Sequence, residues 1–412
     1  MLPMELRLIA IACLGVCVGA ILNLAIYRLS WIPRSFSPWS APLPQASPRR
    51  WSDRLPVVGW FGLRREANLH GSLFWLRPIF VEIATGFLLP ALYWWEVLGR
   101  NLQPLPFPAA APATWVHAQF VAHATLLCLM IVASAIDLDE KIIPDEITVP
   151  GTLLGLIAAF TFPWFLLPVP APNGGIEFLT IVTPNPWPLW LDGRPSLGSL
   201  ALAIAAWWTW ILGLLPRPWR SARGWKVAVH LLIVRMFRSP GSIVILGIGL
   251  LGSLGITAAW AWGDVRWQGL LTSLLGMLIG GGIIWAVRNI GSLVLNREAM
   301  GFGDVTLMAM IGAFLGWQPC LIVFFVAPFF ALVFGIVQLV VHRDAEIPYG
   351  PFLCMAAMLV VLGWRGVWEN LERVFALGWV LGAVMFGLLG VLAILLALIQ
   401  VVRGLFTAVR GG

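Results

Sequence analysis

Residues 120–136 read FVAHATLLCLMIVASAI, and residues 137–146, which follow directly, read DLDEKIIPDE. The first stretch is continuously apolar and lacks the alternation of polar and apolar residues that marks a half-buried strand. The whole chain has a similar bias: 60% of its 412 residues are hydrophobic and 11% are charged, against about 25% charged in ordinary soluble domains. Its mean hydropathy is +0.89. Such a chain needs lipid as its solvent, and its continuous runs favour helices over a β-barrel. We therefore predict an all-α polytopic membrane protein.

Apolar runs near the ~20 residues that cross a bilayer predict about eleven transmembrane helices, within a range of nine to twelve. The predicted spans are residues 6–26, 78–98, 118–136, 147–167, 197–215, 241–261, 268–288, 304–317, 320–341, 350–364 and 374–402. The last run is long enough to tilt or to be broken. The first run of the chain, within residues 1–30, has no small-residue cleavage site and is interpreted as a retained helix. Within the run at 268–288, four glycines predict close helix packing: Gly276, Gly280, Gly281 and Gly282.

The segment between the first two runs is rich in arginine. It contains Arg28, Arg34, Arg49, Arg50, Arg54, Arg64, Arg65 and Arg77, against Asp53 and Glu66. The positive-inside rule therefore places this segment in the cytoplasm and the amino terminus outside. Alternate threading then places further basic residues inside, namely Arg217, Arg220, Arg223, Lys226, Arg288 and Arg297. Because the net charge of +7 is carried by such loops, we predict a lipid bilayer as a partner and no nucleic acid.

An acidic cluster follows the run at 118–136. Five of the 19 acidic residues of the chain fall within ten positions: Asp137, Asp139, Glu140, Asp145 and Glu146. Asp137 is predicted at the carboxyl end of a helix, where the helix dipole disfavours an anion. A solvated loop at a membrane boundary is the alternative interpretation.

A second feature is the sequence Gly301-Phe302-Gly303-Asp304, which opens the short run at 304–317. The glycines allow close backbone approach, and Asp304 alone is explained by helix capping. Together with Asp137, however, Asp304 indicates a catalytic role. Two carboxylates on the same side of a membrane do not both ionise easily if they lie close together in a low-dielectric pocket. One then stays protonated while the other acts as a base towards water, as in aspartyl proteases.

The segment AIDLDEKIIPDEITVP (135–150) resembles the first aspartate motif of bacterial type IV prepilin peptidases, and AMGFGDVTLMAMIGAFLGW (299–317) resembles their GxGD motif. Three more segments resemble the family in the same order: GVCVGAILNLAIYRL (15–29), the segment 53–86, and IPYGPFL (347–353). The resemblance implies two catalytic aspartates and four supporting residues. The catalytic pair is Asp137 and Asp304, and the supporting residues are Gly301, Gly303, Asp139 and Asp145.

The resemblance further implies an enzyme of the bacterial inner membrane, with its active site facing the cytoplasm. Its substrates would be prepilins or pseudopilins of type IV pili and type II secretion systems, cleaved after a glycine at the end of a short basic leader. The acidic cluster suits such a leader. The sequence predicts no oligomeric state.

The chain departs from the family pattern at three places. Many members carry two CxxC pairs in the first cytoplasmic loop, thought to bind zinc and to accompany methylation from S-adenosylmethionine, but residues 30–77 contain no cysteine. We therefore expect no zinc and no metal ligands, no cofactor for proteolysis, and S-adenosylmethionine only if methylation is retained. Thr306 stands where the family usually has lysine, and residues 168–264 form an insertion.

These features divide the chain into four parts. They are the first two helices with their loop (1–100, loop 28–77), the GxGD membrane core (117–167 and 265–365), the insertion (168–264), and a C-terminal helix (366–412). Two other functions remain open at this point. A proton- or ion-coupled transporter would hold its acids at the bilayer midplane, in duplicated halves. A catalytically silent assembly scaffold would tolerate the loss of either aspartate.

Overall fold

The protein is described by a computed structural model that covers residues 3–32, 37–104, 111–171, 174–185, 188–191, 195–215, 240–295, 298, 300–341 and 348–410. Several basic residues used to predict orientation lie outside these ranges, namely Arg34, Arg217, Arg220, Arg223, Lys226 and Arg297. The described chain is nearly all-α, as predicted.

The first seven helices are α1 (Met4–Leu29), α2 (Val58–Leu63), α3 (Ala67–His70), α4 (Leu76–Tyr93), α5 (Ala113–Glu140), α6 (Asp145–Thr161) and α7 (Leu197–Leu214). The other seven are α8 (Pro240–Trp262), α9 (Asp264–Leu295), α10 (Phe302–Leu315), α11 (Trp317–Val341), α12 (Gly350–Leu362), α13 (Trp364–Phe375) and α14 (Trp379–Arg410). A two-stranded antiparallel hairpin, β1 (Pro168–Pro170) and β2 (Ile176–Phe178), lies between α6 and α7. This hairpin was not predicted.

Eight of the described helices are long and apolar enough to cross a membrane, or nine if α12 and α13 form one span. Those two helices meet at an angle of 92°, and α10 is apolar but shorter than a full span. A helix lies in each of the eleven predicted runs, while the number that cross the bilayer stays a prediction.

Two predicted boundaries were wrong. The run at 147–167 is helical only to Thr161, because Pro163 follows and begins a short 3₁₀ turn. The run at 374–402 begins inside α13, whose last residue is Phe375, and α14 starts only at Trp379. Gly378 has a φ of +59° at this break, a conformation that suits glycine.

Helices α1 and α4 approach each other closely through small residues. A methyl group at Gly19 would lie 2.6 Å from the Cα of Glu82, and one at Gly15 would lie 2.7 Å from the carbonyl oxygen of Thr85. Such contacts between backbones are typical of helix pairs in lipid, where no hydrophobic effect drives association.

A second close contact joins α9 to α10, the helix that carries Asp304. A methyl group at Gly276 would lie 2.1 Å from the carbonyl oxygen of Gly312. The packing role predicted for the four glycines is confirmed for Gly276, Gly280 and Gly281, whereas Gly282 has no neighbour within 4 Å of an added methyl group. Helices α7 and α8 pack beside α9 in a separate apolar cluster.

The core elements end at two opposite faces of the bundle. The carboxyl end of α5 and the amino ends of α6, α10 and α12 lie at one face, which we call the aspartate face. The hairpin and α13 lie at the other, where the Trp364 indole N–H donates to the carbonyl oxygen of Pro168 (2.7 Å). Helix α13 buries Trp364, Trp368 and Phe375 along one side.

Candidate active site

Asp137 lies in the last turn of α5 and is 5% exposed. Helix α5 ends at Glu140, and Lys141 then adopts a left-handed conformation (φ 56°), with its N–H donating to the carbonyl oxygen of Asp137 (2.8 Å). The Asp137 carboxylate accepts a hydrogen bond through Oδ2 from the N–H of Gly350, the first residue of α12, at 3.1 Å. A methyl group at Gly350 would lie 2.6 Å from this oxygen, so the contact requires glycine.

Asp304 lies in the first turn of α10 and is 7% exposed. Gly301 is the N-cap residue, and its backbone hydrogen-bonds the Asp304 carboxylate. The aspartate therefore caps its helix from the third position, in the manner of a capping box. A methyl group at Gly303 would lie 2.8 Å from the Cβ of Ile143, which places this turn against the connection between α5 and α6.

The two aspartates are brought together. Their carboxylates are close enough to interact electrostatically, although 167 positions separate them in the chain. Both also interact electrostatically with the buried thiol of Cys354, and Asp304 interacts with Tyr349. Two nearly buried carboxylates thus share one pocket among the ends of α5, α10 and α12.

The remaining acids of the cluster have different surroundings. Asp139 forms an ion pair with Arg77, and Glu140 binds backbone N–H groups near the end of α1. Asp145, in the first turn of α6, hydrogen-bonds the hydroxyl of Thr306. Of the predicted supporting residues, Gly301 and Gly303 thus form the start of α10 and Asp145 contacts it, whereas Asp139 pairs with Arg77 of α4.

The departure from lysine at Thr306 is accommodated within the pocket. Thr306 is 2% exposed, and its hydroxyl lies 3.1 Å from the carbonyl oxygen of Gly303 as well as within hydrogen-bonding reach of Asp145. Its single proton serves one acceptor at a time. Thr306 therefore links the first turn of α6 to the first turn of α10 without a charge.

Two contacts in this region were not predicted. The sequence singles out the segment IPYGPFL only as a whole, and nothing local in it indicates that Gly350 binds Asp137. The sequence indicates only an orienting charge at Arg77, yet this residue contacts both Asp139 and the carbonyl oxygen of Ala135. In each case the partner is distant in sequence.

The connecting segment, residues 30–75 between α1 and α4, is folded against these two helices; its residues 33–36 lie outside the described ranges. Glu82 of α4 is 1% exposed and accepts from the Asn23 amide (3.0 Å), the Trp60 indole (2.8 Å) and the N–H of Val57. Asn23 makes a second buried hydrogen bond, from its amide to the carbonyl oxygen of Pro78.

Two further buried acids in this segment are bound by arginines. Asp53 accepts two hydrogen bonds from Arg65, at 2.9 and 2.6 Å, which hold the pKa of its carboxyl below the ordinary value. Glu66 pairs with Arg49. The segment has no thiolate ligands for a tetrahedral zinc site, so a zinc ion of that type does not fit here.

Residues 124–183 and 241–336 match the model of the type IV leader peptidase family. This match confirms the family resemblance. Its two parts contain Asp137 and Asp304, and the gap between them lies inside the predicted insertion.

Several curated proteins are similar to shorter parts of the chain. The prepilin leader peptidase/N-methyltransferase of Aeromonas salmonicida is 33% identical over 110 residues, which cover 23% of this chain and 38% of that protein. The protein of the same name from Pseudomonas aeruginosa is 34% identical over 94 residues, 22% of this chain and 32% of the relative. That from Stutzerimonas stutzeri is 28% identical over 151 residues, 35% of this chain and 52% of the relative. The chain thus spans about a third to a half of the length of these relatives, and no solved structure matches it significantly.

Proposed function

We propose that this multi-pass membrane protein is an aspartyl endopeptidase that removes the leader peptide of type IV prepilins or pseudopilins. The observation that carries the proposal is the pairing of Asp137 and Asp304, both nearly buried and in electrostatic contact. Both lie in segments matched to the leader peptidase family.

The pair suits general acid and base chemistry on a peptide bond. One carboxylate removes a proton from a water whose oxygen attacks the scissile carbonyl carbon, while the other, protonated, donates to the carbonyl oxygen. Collapse of the tetrahedral intermediate breaks the C–N bond, and the leaving nitrogen takes a proton from the pair. Burial strengthens these electrostatic interactions because little water screens them.

The position of the pair suits a substrate held partly in the membrane. Both aspartates lie in terminal turns of helices, so a substrate with an apolar helix in lipid and its leader outside would present its scissile bond at this depth. We place the aspartate face in the cytoplasm and the protein in the bacterial inner membrane, in accordance with the arginines of the connecting segment.

The contacts of the acidic cluster refine the proposal for a basic leader. Asp139 and Glu140 are engaged by Arg77 and by backbone N–H groups, whereas Glu146 is exposed in the first turn of α6. We therefore assign leader contact to Glu146. Glu146→Lys should raise the KM for a leader with two or more basic residues and have less effect on a leader whose basic residues are replaced by glutamine. Equal effects on both leaders would sink this assignment.

The proposed cleavage uses only carboxyl groups and water. It needs no zinc and no organic cofactor, and S-adenosylmethionine enters only if the chain also methylates the new amino terminus. The connecting segment itself is held by buried carboxylates that are bound by arginine, amide and indole donors.

The test is leader cleavage in membranes, read on a gel as a shift in prepilin size. Asp137→Asn and Asp304→Asn should each lower the rate at least about a hundredfold, the range expected for loss of a general acid or base. Glu177→Gln, an exposed change on the hairpin at the opposite face, is the matched control and should cut normally. Full activity in either aspartate variant would refute the pair, and a wild type that cuts no prepilin would favour the scaffold or transporter.

A further inference from the structure

We infer that Arg77 and Glu140 are positioning residues, which join the first turn of α4 and the start of the connecting segment to the last turns of α5 and thereby fix the place of Asp137. This inference rests on the proposed function, because the placement of Asp137 has consequences for rate only if it is catalytic. It assigns to Arg77 and Glu140 an indirect part in catalysis, exerted through the position of Asp137, that requires no metal.

Arg77 lies in the first turn of α4 and contacts α5 on both sides of Asp137. One guanidinium nitrogen donates to the carbonyl oxygen of Ala135 at 2.7 Å, and the other pairs with the carboxylate of Asp139. These partners stand two residues before and two residues after Asp137. A cation at the carboxyl end of a helix also interacts favourably with the helix dipole. Arg77 therefore holds the turn that carries the aspartate without touching the aspartate itself.

Glu140 makes the second connection. It is the last residue of α5, and its carboxylate accepts from the backbone N–H groups of Trp31 (2.7 Å) and Ile32 (3.2 Å), just after the end of α1. Thus the chain leaving α1 and the chain entering α4 are both bound to residues 135–140. The start of the connecting segment and the first turn of α4, which follows its end, therefore meet α5 within one and a half turns of Asp137.

Loss of these contacts should lower the rate of cleavage rather than the stability of the whole protein. The Arg77 and Asp139 side chains are 35% and 18% exposed, and ion pairs of such exposure contribute little to stability. Terminal helical turns, however, fray readily. A displacement of about 1 Å at a reacting group is enough to cost on the order of a hundredfold in rate.

The same segment provides a matched control. Arg65 binds Asp53 through two hydrogen bonds, and its other described contacts are with Ser47, Gly62 and Glu66. Arg65→Gln therefore weakens the connecting segment without removing a contact to α5. Arg77→Gln removes the contacts to α5 and leaves the Arg65 pair in place.

The experiment measures cleavage kinetics of the full-length protein in nanodiscs, together with hydrogen–deuterium exchange of residues 133–145. Arg77→Gln and Glu140→Gln should each lower kcat by about 10- to 100-fold with KM changed less than threefold, and should raise exchange in this stretch. Arg77→Lys should recover part of kcat, because an ammonium group reaches one of the two acceptors. Arg65→Gln should keep kcat within twofold and leave this exchange unchanged.

Three outcomes separate the possible failures. If the wild type cleaves prepilin and Arg77→Gln cleaves it with the same kcat, the positioning role alone is overturned. Equal losses of kcat and thermal stability in Arg77→Gln and Arg65→Gln also overturn it, since they would mean that any weakening of the segment suffices. A wild type that cuts no prepilin overturns the proposed function and with it the catalytic consequence, and the exchange data then show independently whether Arg77 orders the end of α5.

Discussion

Gly350 occupies a position where a single added carbon would disturb the pocket that holds Asp137 and Asp304. A methyl group there would lie 2.6 Å from Oδ2 of Asp137 and 2.8 Å from Cδ1 of Ile143, closer than unbonded atoms approach. Gly350→Ala should therefore displace Asp137 or α12 and lower the cleavage rate at least about tenfold, equivalent to about 1.4 kcal/mol in the barrier. The rate per inserted molecule is measured beside Gly282→Ala, whose added methyl group has no neighbour within 4 Å. Equal rates in the two variants would contradict this requirement.

The residues of the pocket differ in how far the sequence could reveal them. Asp137 was conspicuous because a carboxylate at the end of an apolar run is costly, whereas its pairing with Asp304 was indicated by their positions at one membrane boundary and by the family resemblance. The Gly350 contact spans 213 positions and the Arg77 contact to Asp139 spans 62, so neither leaves a local signal. The sequence could therefore propose which carboxylates react. The residues that position these carboxylates could not be predicted, because they depend on how helices far apart in the chain pack together.

The ionisation of Asp53 should make the stability of the connecting segment depend on pH. Its carboxyl is bound mainly by Arg65, which lowers its pKa below the ordinary value of 3.8 in the folded protein. A lowered folded-state pKa contributes stability that is full above the unfolded pKa and is lost as pH falls through the folded one. The connecting segment should thus keep its protection from proteolysis between pH 7 and 5 and lose it only below about pH 4.

The matched variant for this prediction is Asp53→Asn, which removes the charge at every pH. It should show at pH 7 the increased cleavage of the connecting segment that the wild type shows only in acid. The measurement is limited proteolysis at pH 7, 5 and 3.5 with an acid-tolerant protease. If the wild type already loses its protection from proteolysis between pH 7 and 5, the titration of another group controls the stability of this segment.

At the scale of elements, the contact of α9 with α10 sets where Asp304 lies. A methyl group at Gly312 would lie 2.1 Å from the carbonyl oxygen of Gly276, so Gly312→Ala must separate the two helices. Overpacking of this kind costs about 1–3 kcal/mol, and we expect a lower melting temperature in detergent together with slower cleavage. Gly255→Ala on α8 is the control, because its methyl group has no neighbour within 4 Å. A melting temperature equal to that of the control would show that the helices can shift apart at no cost.

The sequence pattern predicted the existence of the helices better than their ends. Apolar runs predicted the existence of the membrane helices because length and hydropathy suffice to specify a span. Their ends were less certain: Pro163 stops α6, and the charged residues of α13 belong to a helix that turns by 92° away from α12. The hairpin was missed because β1 reads Pro168-Val169-Pro170, and proline argues against a strand except at an edge, which both strands of a two-stranded sheet provide.

At the scale of the whole molecule, the features relevant to function are separated between two faces. The aspartate face carries the carboxylate pair, Arg77 and the start of the connecting segment, which Glu140 binds. The opposite face carries the hairpin and the amphipathic helix α13, whose tryptophans are buried within the protein and whose charged residues include the exposed Glu369 and Arg373. A prepilin leader and the arginine-rich segment must then share one compartment, so orientation decides whether the proposed substrate can reach the site.

Orientation is measured with single cysteines in a cysteine-free background, in which Cys13, Cys17, Cys128, Cys320 and Cys354 are replaced by alanine or serine and prepilin cleavage is retained. Trp51→Cys lies in the connecting segment, where Trp51 is 79% exposed, and Glu177→Cys lies on the exposed side of the hairpin. Because arginine-rich loops stay in the cytoplasm, a membrane-impermeant maleimide added to spheroplasts should label the Glu177→Cys protein at once and the Trp51→Cys protein only after permeabilisation. The reverse pattern would place the aspartate face outside, where a cytoplasmic leader cannot reach it, and would exclude cleavage of leaders before export. Labelling of both proteins without permeabilisation would instead mean that the bundle does not separate these faces across the bilayer.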